Sequence, residues 1–194
     1  MKLKNNQTMI FGLKGGGKSN FFQYLLSKPQ YQNTLVYDVC REHSGYNRYI
    51  PEHTRGKEAI AEFDGVTSRL ITDVDRNQRP ELFAIEEVSR LAPSSGRQAD
   101  SLMELVDLNR HYGIGLLGVA RRPAKVNTDL TELADNLVIF RLTGKNDVRR
   151  LNQEADGLGD KARQLDDYHF IHVRPDRSYT VHSPVPEMDT TGNL

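Results

Sequence analysis

Residues 12–19, Gly-Leu-Lys-Gly-Gly-Gly-Lys-Ser, fit the pattern G-x-x-x-x-G-K-[ST]. An apolar run (Thr8, Met9, Ile10, Phe11) precedes them, and residues 20–26 carry apolar side chains at helical spacing. That order of strand, loop and helix is what a phosphate-binding loop requires. Triphosphate oxygens must be approached by several backbone N–H groups at once, and Gly15, Gly16 and Gly17, lacking Cβ, let the chain wrap the anion. The following helix turns its positive end to the phosphates, Lys18 reaches the β and γ oxygens, and the Ser19 hydroxyl is placed to ligate Mg²⁺. Gly12, Lys14 and Asn20 complete the predicted contacts to ATP. A chance Gly-rich turn is the competing explanation, and the flanking strand and helix argue against it.

The 194 residues suffice for one well-buried domain. With 26 cationic and 26 acidic side chains the formal charge is zero, which excludes a uniformly basic nucleic-acid coat protein; contact with a polyanion must come from local clusters or from assembly. One cysteine, Cys40, excludes an internal disulfide and every multi-cysteine metal site, and its place beside an apolar strand predicts a buried structural thiol. The N-terminus reaches the Gly-rich loop before any signal-length apolar stretch, and no run approaches the length of a membrane span. A soluble chain in the cytoplasm is expected, with no membrane insertion.

In order, the pattern predicts a strand over 7–12, a helix over 18–27 stopped by Pro29, and a strand over 34–40. Asp38 falls at that strand's C-terminal edge, where a site role and a turn-capping role are both open. Residues 41–57 interleave cations and aromatics, among them Arg41, Tyr46, Arg48, Arg55 and Lys57. Such a loop suits contacts to the phosphates and bases of DNA, and equally a solvated connection. A helix is predicted over 63–75. The apolar strand 82–85 then ends in Glu86 and Glu87, the pattern of a metal-holding carboxylate followed by one that polarises the attacking water. Glu86 stands where an aspartate is usual, so its reach to magnesium runs through water. At a strand end the chain turns, and both carboxylates are expected to face the phosphates. A loop at 94–97, a helix over 98–110, a buried strand over 113–120 and a basic exit at Arg121, Arg122 and Lys125 follow. A strand over 136–143, a short helix over 147–155 and a hairpin over 168–182, turning at Pro175-Asp176, complete the domain. His169, His172 and His182 are expected on exposed strand faces. Residues 184–194 read as an extended or disordered tail, leaving 1–183 as the folded domain.

Together these motifs resemble the FtsK/HerA superfamily of P-loop motor ATPases. The most specific stretch is 108–123, Leu-Asn-Arg-His-Tyr-Gly-Ile-Gly-Leu-Leu-Gly-Val-Ala-Arg-Arg-Pro, similar to that family's arginine, then Gly-Ile-x-Leu, then a strand ending in Gln-Arg-Pro. Without an appended domain or membrane segment, the chain looks most like the genome-packaging ATPases of membrane-containing viruses. The resemblance implies a single α/β P-loop NTPase domain of RecA type, with a mainly parallel central sheet and the C-terminal β-hairpin. It also implies a homo-oligomeric ring with ATP bound between subunits, double-stranded DNA drawn through the centre, and a viral capsid or membrane vertex protein as a further partner. By position Arg110 corresponds to the arginine finger offered to the neighbour's γ-phosphate; a cation complementing a helix C-terminus is the alternative. Arg121 stands where the family has a phosphate-sensing glutamine, and a guanidinium stabilises charge directly where an amide orients water.

Other functions use the same loop. A small-molecule kinase would not require the second carboxylate, Glu87; a GTPase would carry an N-K-x-D base-reading motif, which does not occur. An ATPase that extrudes filamentous phage usually continues into a membrane helix.

Overall fold

In the computed structural model, which describes residues 1–72, 75 and 78–188, the chain forms one eight-stranded sheet covered on both faces. Its elements in order are β1 (Gln7–Phe11), α1 (Lys18–Leu26), β2 (Thr34–Tyr37), β3 (Arg48–Tyr49), α2 (Gly56–Thr72), β4 (Leu82–Ile85), α3 (Asp100–Tyr112), β5 (Gly115–Ala120), α4 (Asp129–Glu132), β6 (Asn136–Phe140), α5 (Lys145–Glu154), α6 (Leu158–Arg163), β7 (Phe170–Val173) and β8 (Tyr179–His182). The strand order is β3-β2-β4-β5-β1-β6-β7-β8; every pair from β3 to β6 is parallel, and β7 and β8 close the sheet antiparallel. The α/β class, the mainly parallel sheet and the C-terminal hairpin expected of the sequence are all present.

Successive side chains of a strand point to opposite faces, and the two cores divide accordingly. Met9, Phe11, Phe83, Ile85, Leu116, Leu137 and Ile139 pack on one face under α2, α3, α5 and α6. Ile10, Leu82, Ala84, Leu117, Val138 and Phe140 pack on the other, where α1 brings Phe21, Phe22, Leu25 and Leu26, and Leu3 and Tyr31 complete the cover. Strands buried on both faces read as unbroken apolar runs, which is why β1, β4, β5 and β6 are legible in the sequence.

Some elements depart from expectation. The strand predicted over 34–40 ends at Tyr37, because the chain turns at Asp38 to hold the following loop. β3 was read as loop: two residues pair with β2, too short to show a period. α2 begins seven positions before the predicted start; its first turns bury Ala59 and Ile60, within a polar stretch. Of its predicted end, residues 73 and 74 lie outside the described residues, and Asp75 is not helical. The short α4 and α6 carry too few apolar residues to register a helical period.

Candidate functional site

β1 lies inside the sheet between β5 and β6, so the loop that leaves Phe11 emerges at the C-terminal edge of the parallel strands. Gly17 caps α1 with φ of 101°, a conformation that side chains resist. Its neighbours are tight as well: a Cβ there would stand 3.1 Å from Phe140 Cε1, and one on Gly12 2.7 Å from Phe140 Cβ. The loop is therefore pressed against the end of β6, and Gly12 and Gly17 are required by space, whereas a Cβ on Gly15 would meet nothing within 4 Å. Lys18 Nζ donates to the Leu13 carbonyl at 2.9 Å, across the loop, as the Gly16 N–H does at 3.2 Å. Its pKa lies below the usual 10.5, chiefly through desolvation; Glu87 opposes the shift and Arg121 adds to it. Lys14 and Gly15 are exposed, and the exposed Ser19 hydroxyl has no hydrogen-bond partner among the described residues. Asn20 differs from expectation. Its side chain donates to the Pro186 carbonyl at 2.9 Å and accepts from the Met188 N–H at 2.6 Å, so its amide holds the C-terminal segment.

The register across the sheet brings the acidic end of β4 level with the loop. Phe11 pairs with Ala120, and Ile85 with Gly118. Continuing that register sets Glu87 beside Ala120 and Arg121 beside Gly12, with one strand between β4 and β1. Strand spacing puts the Glu87 backbone about 10 Å from β1, within side-chain reach of the loop. The chain turns at Glu87 through a left-handed conformation, φ 46° and ψ 42°. In consequence the two carboxylates diverge instead of facing one side, as had been expected. Glu87 Oε1 accepts from Arg121 Nε at 2.8 Å, and its charge acts on Lys18. Glu86 is buried and faces the loop after β2: Oε1 lies 2.8 Å from His43 Nε2, and Oε2 accepts from the Cys40 N–H at 3.0 Å.

That loop is built on Asp38, which is fully buried. Its carboxylate accepts the N–H groups of Glu42 and His43 at 3.0 and 3.1 Å and Arg48 Nη1 at 2.7 Å. Burial alone would raise its pKa; the Arg48 guanidinium and the two N–H donors outweigh that and hold it below the ordinary value. The turn-capping role left open by the sequence is the one Asp38 plays. The cations and aromatics of 41–57 consequently do not form one outward surface. Arg48 is committed to Asp38, and Tyr46 donates to the Gln23 carbonyl at 3.4 Å and packs on the α1 core, whereas Arg41, Arg55 and Lys57 are exposed. Arg55 lines a hollow with Glu87, Ser89, Arg90 and Arg121. Cys40 is exposed, against expectation, because β2 ends before it. The protein packed about its sulfur and the carboxylates of Glu86, Glu42 and Glu87 push the thiol up to about 12.

Arg110 lies in the last turn of α3 and pairs with Asp135, whose other oxygen accepts the Gln7 N–H at the start of β1. This is the N-terminal edge of the sheet. β5 spans about 20 Å between it and Arg121, so Arg110 cannot reach the loop of its own chain. His172 is half-buried, not exposed as expected, because β7 lies between β6 and β8 and its ring meets the Asn136 side chain, Nε2 2.9 Å from Oδ1. His43, which positions Glu86, was missed; a histidine in a polar stretch gives no periodic signal.

A parallel sheet whose Gly-rich loop and acidic strand end are separated by one strand, itself ending in a cation, is the fold of a single-domain P-loop ATPase. Solved structures agree. The chain superposes on the DNA-packaging ATPase B204 of Sulfolobus turreted icosahedral virus with a TM-score of 0.76 at 17% identity, covering 95% of this chain and 100% of that one. On the genome packaging NTPase B204 of Sulfolobus turreted icosahedral virus 2, in complex with ATP-gammaS, the values are 0.74 and 15%, over 95% and 100%. The cytoplasmic domain of the type VII secretion ATPase EccC of Thermomonospora curvata matches with a TM-score of 0.60 at 14% identity, over 96% of this chain and 27% of that one. These neighbours, a viral packaging ATPase and a secretion ATPase, share the fold that the sequence led one to expect. No family model and no curated protein matches the sequence. Among the described residues no helix is long and apolar enough to cross a membrane.

Proposed function

We propose that this chain hydrolyses ATP as a subunit of a ring and uses the energy to move double-stranded DNA, as in the packaging of a viral genome. The observation that supports it most is the Glu87 carboxylate, paired with Arg121 and acting on Lys18 at the mouth of the Gly-rich loop. A water there has a base to take its proton, and phosphate oxygens have two cations to meet. An arriving γ-phosphate competes for Lys18, now on the Leu13 carbonyl, and for Arg121, now on Glu87. Loss of the Arg121 contact would free the Glu87 carboxylate when substrate is present. Mg²⁺ fits with one restriction. Ser19 offers an open hydroxyl, but both Glu86 oxygens already accept hydrogen bonds; each keeps a lone pair, which suits a metal-bound water and not direct ligation. The metal would neutralise charge on the β and γ phosphates.

Arg110 supports the ring reading. It lies on the edge opposite its own loop, is 69% exposed, and is flanked two positions earlier by exposed Leu108. Its partner Asp135 is likewise preceded by exposed Leu133. A head-to-tail contact between unlike edges would bring Arg110 to a neighbour's phosphates, and such contacts form a ring where the rotation between subunits closes. Arg41, Arg55 and Lys57, summed around a ring, would supply DNA contacts that one neutral subunit lacks. A capsid or membrane vertex protein would anchor the assembly.

The test is the ATPase rate with and without duplex DNA. Lys18→Ala is expected to abolish tight nucleotide binding, and Glu87→Gln to keep binding while hydrolysis falls about 10²-fold or more. A Glu87→Gln protein hydrolysing ATP at near wild-type rate would sink the catalytic assignment, and a rate indifferent to DNA would sink the motor.

A further inference from the structure

Beside the loop lies a cavity of about 430 Å³ lined by Gly17, Asn20, Gln23, Phe140, Tyr168 and the segment from Pro184 to Met188. Nothing in the phosphate chemistry uses it. Its volume falls within the range of small-molecule sites, roughly 300–1,000 Å³, and Gly17 joins it directly to the N-terminus of α1, where a triphosphate would sit.

Gln23 is the informative residue. It is 7% exposed, three positions after Asn20 on the same face of α1, and lines this cavity. Its backbone carbonyl is occupied by the Ser27 N–H and the Tyr46 hydroxyl, but its side-chain amide makes no hydrogen bond within the described residues. The amide is open to solvent at the cavity, where it is available to pair with whatever enters. A primary amide offers a donor and an acceptor side by side. Adenine presents the complementary pair, its N6 amino group and N7; guanine presents two acceptors on the same edge and satisfies only half of the amide.

The walls suit a flat ring. Tyr168 is a bulky residue at φ 62°, 57% exposed, and its ring lies against the loop, with Cδ1 3.3 Å from where a Gly17 Cβ would stand. Held there, it offers an aromatic face to a base or ribose. The opposite wall is the C-terminal segment, tied by both ends of the Asn20 amide and by Met188, which is buried.

We propose that this cavity is an adenine site in which Gln23 reads the base, Tyr168 supports it, and the segment clasped by Asn20 forms its outer wall. The inference rests on the nucleotide-binding reading above and adds base selectivity to it. ATP, GTP and inorganic tripolyphosphate, each with magnesium, are titrated calorimetrically into the full-length chain and into Gln23→Met, which conserves volume and helix propensity. The wild-type chain is expected to prefer ATP to GTP. Gln23→Met should weaken ATP by about tenfold or more, the worth of a base-reading pair, narrow the gap to GTP, and leave tripolyphosphate within about twofold. Parallel losses for ATP and tripolyphosphate, or no loss for ATP, would overturn the site. Photolabelling of the wild-type chain by 8-azido-ATP is the second measurement: label on Tyr168 or residues 184–188 supports the site, and label confined elsewhere overturns it. ATP bound with this selectivity but not hydrolysed would refute the motor and leave the adenine site standing. A wild-type chain that binds neither ATP nor tripolyphosphate would overturn both.

Discussion

Asp38→Asn removes one charge from a position with no access to water, and its cost can be worked from three hydrogen bonds. The carboxylate serves the N–H groups of Glu42 and His43 with separate oxygens and shares one oxygen with Arg48. An asparagine has one acceptor oxygen, so whichever way it turns, its NH₂ group opposes either the Glu42 N–H or both the His43 N–H and the guanidinium. Stranding a buried N–H costs about 1–3 kcal/mol, and unpairing a buried ion about 3–5. Arg48 retains 24% of its side-chain exposure and recovers part of its hydration, which places the sum near the lower bound, about 3 kcal/mol. For a domain of this length that lowers Tm by about 6–12 °C, read by differential scanning fluorimetry at pH 7. The pH dependence carries a sign. Asp38 titrates below its ordinary 3.8 in the fold, so its stabilisation is complete above that value and is lost as pH falls through the folded pKa. The gap in Tm between wild type and variant should narrow in that acid window. A Tm loss under about 2 °C at pH 7, or a gap that is widest in acid, would refute the charge network as the anchor of this loop.

Two further outcomes are expected. Arg110→Ala should lose about 10³-fold in turnover while still binding ATP; mixed with Lys18→Ala, which keeps Arg110 but lacks nucleotide, it should recover activity in steady-state assays, and mixed rings that stay inactive would make Arg110 structural. Burial, the N-terminal ammonium, Arg174 and His182 depress His172 to about 4 from 6.5, so the unfolded chain takes up a proton that the fold refuses. Stability should therefore fall as pH drops from about 6.5 to about 4; Tm measured against pH should show this, and His172→Gln should remove that component.

What was legible in the sequence is what repeats or is punctuated. The glycines of the loop and the doubly buried strands carry strong local signals, and the order of their ends already set Glu87 and Arg121 on one edge. Their mutual contact was not legible, because it depends on β5 lying between β4 and β1, a matter of strand order and not of any single strand. Nor was the parting of Glu86 from Glu87: alternation along a strand says nothing of a left-handed residue just beyond it. The loop 41–57 misled for a related reason. Cations and aromatics look solvent-facing until a buried carboxylate such as Asp38 claims one of them, and the Asp38–Arg48 pair spans residues that share no element. The tail read as extended has no regular structure over 183–188, yet Asn20 holds it; residues 189–194 lie outside the described part.

The left-handed backbone at Glu87 sets the fold against the proposed chemistry within one residue. Glycine would adopt that turn without strain, and the same position with a long acidic side chain is less stable by about 1 kcal/mol or more. Mutation and drift acting on folding alone would therefore carry this codon toward glycine or asparagine. On the role proposed for Glu87, a lineage that gave up hydrolysis would gain stability by losing its carboxylate, and a screen for thermostable variants, run without an activity filter, would remove the proposed base.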